Sequence, residues 1–249
     1  MIEIIRGKEG CEEVRQRGGI AVIVDALRAS ATITAFFSAG ASEVIVSSEI
    51  DDAFLLKESF PGAVLAGERN FLKVPGFDLG NSPVEAASFP FMGRGVIFSS
   101  TSGAGRIIEA QGAASILIGS TVNCSAVARA ALSKSKEIKT DIIIIPAGLY
   151  TDEDFIAEED LIASVVIIKE LGGSTPPSLE GYLSLIDKLG TEKLFLRTTN
   201  GKKLVSLGFA ADVSYCARFN ITRIVPSLSR FITLKNGKKA ARITPFGKS

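Results

Sequence analysis

At 249 residues, with 46% hydrophobic and 22% charged side chains and a mean hydropathy of +0.30, the chain can bury a substantial core as one large α/β domain or two small ones. Its 28 basic and 27 acidic residues leave a net charge of +1, so no field of one sign gathers nucleic acid or anionic lipid, and its longest apolar runs fall short of a membrane span. It contains no histidine, which excludes Ser-His-Asp hydrolases and histidine phosphatases and leaves carboxylates, arginines, hydroxyls, backbone amides and a metal to do any chemistry.

Apolar, mostly β-branched runs at residues 2–5, 20–24, 43–46, 63–66, 95–99, 115–118 and 141–145 predict strands. Most lack polar alternation, as expected of strands covered on both faces. Helices are predicted between them at residues 8–17, 30–38, 50–59, 83–88, 105–110 and 122–133. This alternation predicts an α/β fold: a three-layer α/β/α sandwich around a mainly parallel or mixed sheet. Residues 158–171 read as a long, mostly buried helix ended by Gly172-Gly173, and Pro176-Pro177 marks the clearest break. Beyond it come a helix over 179–189, mixed segments and a short strand at 223–225. Strands at 231–234 and 241–244 then flank the hairpin turn signal Asn236-Gly237. The chain reads as a single domain over 1–249, with residues 170–249 an appendage packed on the same fold.

The opening Met1-Ile2-Glu3-Ile4-Ile5-Arg6 lacks the apolar core of a signal peptide. Cys11, Cys124 and Cys216 are too scattered for a disulfide framework or a zinc site. A cytoplasmic protein is expected.

In four places an apolar strand ends and ligand-capable residues follow at once. These are Asp25-Ala26-Leu27-Arg28-Ala29-Ser30, Gly67-Glu68-Arg69-Asn70, Ser99-Ser100-Thr101-Ser102-Gly103 and Gly119-Ser120-Thr121-Val122-Asn123. In a parallel sheet the carboxyl ends of strands share one edge, so such loops can converge there, and helix starts favour anions. Each residue alone has a plainer account: Ser30, Ser82 and Thr121 are good N-caps, and Glu68 with Arg69 could form a structural ion pair. Thr199-Asn200-Gly201 resembles Thr101-Ser102-Gly103, a match too short for a repeat. Other signals fail on inspection. Cys11 and Arg17 have the spacing of a cysteine phosphatase, but Glu12 and Glu13 would sit in its phosphate cradle. Gly247-Lys248-Ser249 lacks the upstream glycine of a P-loop.

The segment Gly76-Phe77-Asp78-Leu79-Gly80-Asn81-Ser82-Pro83 is the most specific of all. Together with Asp25–Ser30, Gly67–Asn70, Ile118-Gly119-Ser120, Asn123, Ala147-Gly148 and Glu159-Asp160, it resembles the 2-phosphosulfolactate phosphatases of coenzyme M biosynthesis. The resemblance spans roughly residues 20–170, with a weaker echo through Asp212, Cys216 and Val225-Pro226. It implies a three-layer α/β/α fold and Mg²⁺-dependent hydrolysis of a phosphate monoester, a small phosphorylated and, in the named members, sulfonated acid. Chemistry placed on the matching positions makes Asp25, Arg28 and Glu68 the catalytic candidates. Asp25, Glu68, Glu159 and Asp160 become candidate metal ligands. Ser30, Arg69, Asn81, Ser82, Thr101, Ser102, Gly103, Ser120 and Asn123 become candidate substrate contacts. A homodimer is the one protein partnership left open. The family's Thr-Thr-Asn-Gly-Thr loop reads Ser100-Thr101-Ser102-Gly103-Ala104 here, and Pro146 replaces its cysteine before Ala147-Gly148. That altered loop motivates the alternative of a non-catalytic domain that binds or senses a small anion on the same scaffold.

Overall fold

The computed structural model describes residues 1–247, so Lys248 and Ser249 of the Gly-Lys-Ser ending lie outside the described residues. In chain order the elements are β1 (Ile2–Ile4), α1 (Gly7–Arg17), β2 (Ile20–Val24), α2 (Ala29–Ser38), β3 (Val44–Ser47), α3 (Ile50–Ser59), β4 (Val64–Arg69) and β5 (Leu72–Lys73). There follow α4 (Pro83–Ser88), β6 (Val96–Ser99), α5 (Gly103–Glu109), β7 (Ser115–Ile118), α6 (Cys124–Ile138), β8 (Ile142–Pro146) and α7 (Glu158–Glu170). The remainder comprises α8 (Glu180–Leu189), α9 (Thr191–Phe195), α10 (Thr199–Ser206), α11 (Ala210–Cys216), β9 (Pro226–Thr233) and β10 (Lys239–Pro245). None of the described helices is long and apolar enough to cross a membrane.

All ten strands join one mixed sheet in the order β1-β8-β2-β7-β9-β10-β3-β6-β4-β5. The missing polar alternation has a direct cause, because successive residues of each strand enter different cores. Ala21 and Ile23 of β2, Ile143 and Ile145 of β8, Val44 and Val46 of β3, and Val96 and Phe98 of β6 face one side. There they meet α1, α2 and α5 through residues such as Val14, Ile33 and Ile107. Ile20, Val22 and Val24 face the opposite side with Ile142 and Ile144, beneath α6, α7 and α9–α11. Ile45, Leu65 and Ile97 face that opposite side under α3. Both faces are therefore covered, as three layers require.

The C-terminal hairpin is no appendage. β9 and β10 sit in the middle of the sheet, between β7 and β3. The predicted strand at 223–225 lies just outside the ladder, which begins at Pro226. Because β7–β9, β9–β10 and β10–β3 all pair antiparallel, the two parallel blocks, β1-β8-β2-β7 and β3-β6-β4, run in opposite senses. In a flat sheet their carboxyl ends would lie on opposite edges. Twist of roughly 20–25° per strand turns one block against the other. The loops after β2 and β6 meet, joined by a hydrogen bond from Gly103 N to Asp25 Oδ2 of 2.9 Å.

Candidate active site

Where those loops meet lies a cavity of about 230 Å³ whose wall includes Asp25, Arg28, Glu68, Asn81, Glu159 and Asp160. Asp25 follows β2 directly and is 8% exposed. Its Oδ1 accepts from Ala29 N at 3.1 Å, and its own N–H donates to Ser30 Oγ at 2.9 Å. Only glycine allows the Gly103 contact, since a Cβ there would stand 2.7 Å from Asp25 Oδ2. The Leu27–Arg28 peptide beside it is cis. Burial, opposed by the Ala29 N–H and reinforced by the charge of Glu68, raises the Asp25 carboxyl from 3.8 to about 6.

Glu159 and Asp160 come from the first turn of α7, which crosses the carboxyl end of β2. Asp160 Oδ1 accepts from Ala26 N at 2.7 Å and Oδ2 from Gly148 N at 3.0 Å. Glu159 Oε1 accepts from Asn200 Nδ2 at 2.6 Å. Desolvation raises both carboxyls, Asp160 well above its ordinary value with further push from the charges of Asp25 and Glu159. Three neighbouring acids thus hold their protons unusually tightly.

Glu68 reaches the same wall in a different role. A Cβ at Gly67 would collide with the Ser99 carbonyl, so glycine lets β4 pass close to β6 and deliver Glu68 to the loop after it. Glu68 Oε1 accepts from Thr101 N at 2.8 Å, and Oε2 accepts from Phe71 N at 2.9 Å and Thr101 Oγ1 at 3.1 Å. With three donors engaged, this carboxylate fixes the Thr101 loop. Thr101 and Ser102 themselves line the cavity.

Arg28 is 2% exposed and thoroughly held. Its Nη1 donates to Asp212 Oδ2 and its Nη2 to the Phe71 carbonyl, each at 2.7 Å, and its guanidinium lies 4.6 Å from the centre of the Phe209 ring. Asp212 Oδ1 in turn accepts from Ser82 Oγ at 2.6 Å, and Ser82 caps α4 by accepting from Glu85 N at 3.1 Å. Asn81 is 5% exposed, lines the cavity, and its Oδ1 has no hydrogen-bond partner. An unpaired acceptor on the same cavity wall as a buried arginine makes Asn81 a candidate ligand contact.

Six sequence candidates stand outside the cavity wall: Gly103, whose N–H holds Asp25, and Ser30, Arg69, Ser82, Ser120 and Asn123. Ser30 braces the Asp25 main chain, and Ser82 serves Asp212. Arg69 turns away, with Nη1 on the Glu68 carbonyl and Nη2 on the Ser48 carbonyl and Ser99 Oγ. The fourth strand-end loop is structural too. Ser120 and Asn123 are fully buried, Asn123 Oδ1 accepts from Ser120 N, and Asn123 Nδ2 donates to the carbonyls of Ile118 and Ile224. That makes Ser120 and Asn123 a clasp on the C-terminal segment, with polar atoms spent on main chain. That they bear on a ligand is left without a supporting contact. The Cys11 motif is likewise inert, since Cys11 is buried in α1 and burial pushes its thiol up to about 12.

Sequence reasoning missed Asn200 and Phe209 as site residues. Both come from the α10–α11 region after the proline break. The available signal for Asn200 was its place in a hydroxyl-amide-glycine triplet.

A sequence model of the family described as 2-phosphosulpholactate phosphatase matches residues 7–230. The chain belongs to the 2-phosphosulfolactate phosphatase family. It is 39% identical over 209 residues to a probable 2-phosphosulfolactate phosphatase of Carboxydothermus hydrogenoformans, covering 82% of this chain and 84% of that relative. Similar proteins of the same description occur in Thermotoga petrophila, 34% identical over 232 residues with 92% and 95% covered, and in Deinococcus radiodurans, 33% over 215 residues with 84% and 87% covered. Of the motifs that carry the family resemblance, Asp25, Arg28, Glu68, Gly148, Glu159 and Asp160 line the cavity, and the Gly-Phe-Asp-Leu-Gly-Asn-Ser-Pro segment reaches it through Asn81.

Proposed function

We propose that the protein hydrolyses a small anionic phosphate monoester of the 2-phosphosulfolactate type to the free 2-hydroxy acid and inorganic phosphate, with Mg²⁺ as cofactor. The observation that carries this reading is the buried wall of Asp25, Glu159 and Asp160, three acids with raised proton affinity on one cavity. The printed descriptions of the relatives support the substrate class. The three buried, free cysteines suit the cytoplasm.

The donor set fits a hard divalent cation. The nearby buried arginine is already paired with Asp212, so the acids lack positive charge to balance them. Among the described residues no three His, Cys, Asp or Glu side chains are grouped to hold an ion by themselves. Mg²⁺ ordinarily takes one or two carboxylates and completes its shell with water and substrate oxygens. Glu159 and Asp160, with Asp25 beside them, are the residues that would hold it. When bound, it supplies charge neutralisation for the phosphoryl oxygens. Asp25 titrates close enough to neutrality to accept a proton from the attacking water, and the Ala29 and Gly103 N–H groups keep its oxygens in place. Arg28, fixed by Asp212 and Phe71, turns its remaining donors to the substrate's anionic groups, and Asn81 Oδ1 offers an acceptor for a donor on the substrate or a bound water.

Phosphate release from a panel of 2-phosphorylated acids, with and without a sulfonate, tests the reading. Chelation with EDTA is expected to lower turnover by about 100-fold or more, since metal stabilisation of this kind is worth several kcal/mol, and added Mg²⁺ restores it. Release of phosphate that survives chelation unchanged would rule out the metal. Failure to release it from any ester would rule out the hydrolase.

The raised carboxyls also set a stability profile. In the unfolded chain Asp25 ionises near 3.8, whereas in the fold it keeps its proton to about 6. The folded state therefore binds more protons across that window, and stability falls as pH rises through it. Asp25 alone accounts for roughly 3 kcal/mol, and Asp160 extends the loss to higher pH. About half of the Asp25 loss falls between pH 5 and 7.5, so metal-free protein is expected to melt at least about 3–6 °C lower at pH 7.5 than at pH 5, and Mg²⁺ should narrow the gap. Calorimetry across that range checks this; a metal-free melting point that rises with pH contradicts it.

A further inference from the structure

The loop between β8 and α7 forms one side of the cavity through Gly148, Leu149, Phe155 and Ala157. It is compact in itself, with Asp152 N donating to the Leu149 carbonyl at 3.1 Å and Phe155 N to the Asp152 carbonyl at 3.2 Å. Its attachment to the rest of the molecule centres on Arg106 of α5, which is 1% exposed. Arg106 Nε donates to the Ala147 carbonyl at 2.9 Å, Nη2 donates to Glu153 Oε1 at 2.6 Å, and the guanidinium lies 5.0 Å from the centre of the Tyr150 ring. Its Nη1 donates to Glu109 Oε2 of the same helix, also at 2.6 Å. The first residue of that helix, Gly103, is the one whose N–H holds Asp25, and the preceding Ser102 Oγ accepts from Tyr150 N at 3.3 Å. One buried cation thus references the Asp25 wall and the facing loop to each other.

We propose that Arg106 is a positioning residue for the reaction, and that Glu153 is the releasable contact that holds this loop over bound substrate. The attachments differ in strength in a way that defines foot and tip. At the foot, the Ala147 carbonyl and Gly148 N–H bond to buried Arg106 and buried Asp160. At the tip, Glu153 is 47% exposed, so water screens its pair with Arg106 and breaking it costs little. Its other oxygen accepts only from Lys8 N, at 3.2 Å. When Glu153 lets go, Glu109 still neutralises Arg106, and no buried charge is left unpaired. Leu149 and Phe155 move with the tip, while Asp25 and Asp160 stay in place. Neither Arg106 nor Glu153 lines the cavity that holds Asp25, so both act through what they hold.

The inference rests on the cavity being the site of phosphate ester hydrolysis, and its test separates the two. Steady-state phosphate release and hydrogen exchange without substrate are measured on wild type, Glu153→Ala, Glu153→Gln and Arg106→Lys. Glu153→Ala is expected to raise KM by about 3–10-fold with kcat within about twofold, the size of a screened charge-assisted contact. Amides 149–155 should exchange faster by a similar factor while those of α5 do not change. Glu153→Gln, which keeps one acceptor, should fall between. Arg106→Lys keeps the charge but cannot span Ala147, Glu109 and Glu153, and kcat should fall by roughly 10-fold or more as the reacting groups lose alignment. The proposal is overturned if both Glu153 variants keep wild-type KM and loop exchange, or if Arg106→Lys lowers only the melting temperature. If wild type hydrolyses no ester, the site assignment fails, and the exchange data still decide whether Glu153 latches the loop.

Discussion

Asp25→Asn is expected to give a folded protein whose turnover is lower by roughly 10³-fold, the scale of losing a positioned proton acceptor. The asparagine oxygen can serve Ala29 N or Gly103 N, but its NH₂ must then face the other donor. Losing one buried acceptor costs about 1–3 kcal/mol. Removing a carboxylate that burial already disfavours offsets a similar amount, so the fold survives. The same substitution should flatten the fall in stability between pH 4 and 6 that Asp25 causes. Phosphate release at saturating Mg²⁺, together with melting curves at two pH values, reads both effects. Full turnover in the variant would remove Asp25 from the chemistry. Acid quenching during a single turnover of wild type should trap no phosphoryl group on the protein; a phosphoryl group trapped on Asp25 would make it a nucleophile instead.

The largest stability effect is expected at a residue remote in sequence from the motifs. Asp212→Ala leaves Arg28 buried without a counter-charge and strips Ser82 Oγ of its acceptor. Breaking such a pair from one side costs about 3–5 kcal/mol, which denaturant titration would show as a much lower midpoint with little change in slope. Replacing both partners, Arg28→Met with Asp212→Leu, should recover most of that stability, because desolvating the two charges has its own cost. Activity should not return, since the substrate's anion loses Arg28. Recovered turnover in the double variant would reduce the pair to a structural role. A single Asp212→Ala variant as stable as wild type would contradict the buried geometry itself.

The strands were legible because seven apolar runs fill both faces of a covered sheet, and no competing pattern explains them. The carboxylates were legible because Asp25, Glu159 and Asp160 stand where a strand or loop gives way to a helix. The hydroxyls and Arg69 were ambiguous for a physical reason. An N-cap, a clasp and an anion contact require the same side chains at the same place, and only the fold decides whether the remaining lone pair meets main chain or cavity. Ser120 with Asn123 met main chain; Thr101 and Ser102 met the cavity. Asn200 and Phe209 were obscured because their partners, Glu159 and Arg28, are distant in sequence. Sheet order was hidden altogether, since no local pattern places the last hairpin between β7 and β3.

That placement governs how the molecule comes into being. Until residues 226–245 have been synthesised, the two parallel blocks lack the strands that link them, and β7 and β3 each present an open edge to any other strand nearby. The loops bearing Asp25 and Gly103 belong to different blocks, so their encounter is also deferred. A chain lacking that hairpin lacks the strands that join the two blocks into one sheet. The hairpin's pairing with β3 spans most of the chain, a long-range contact of the kind that slows folding.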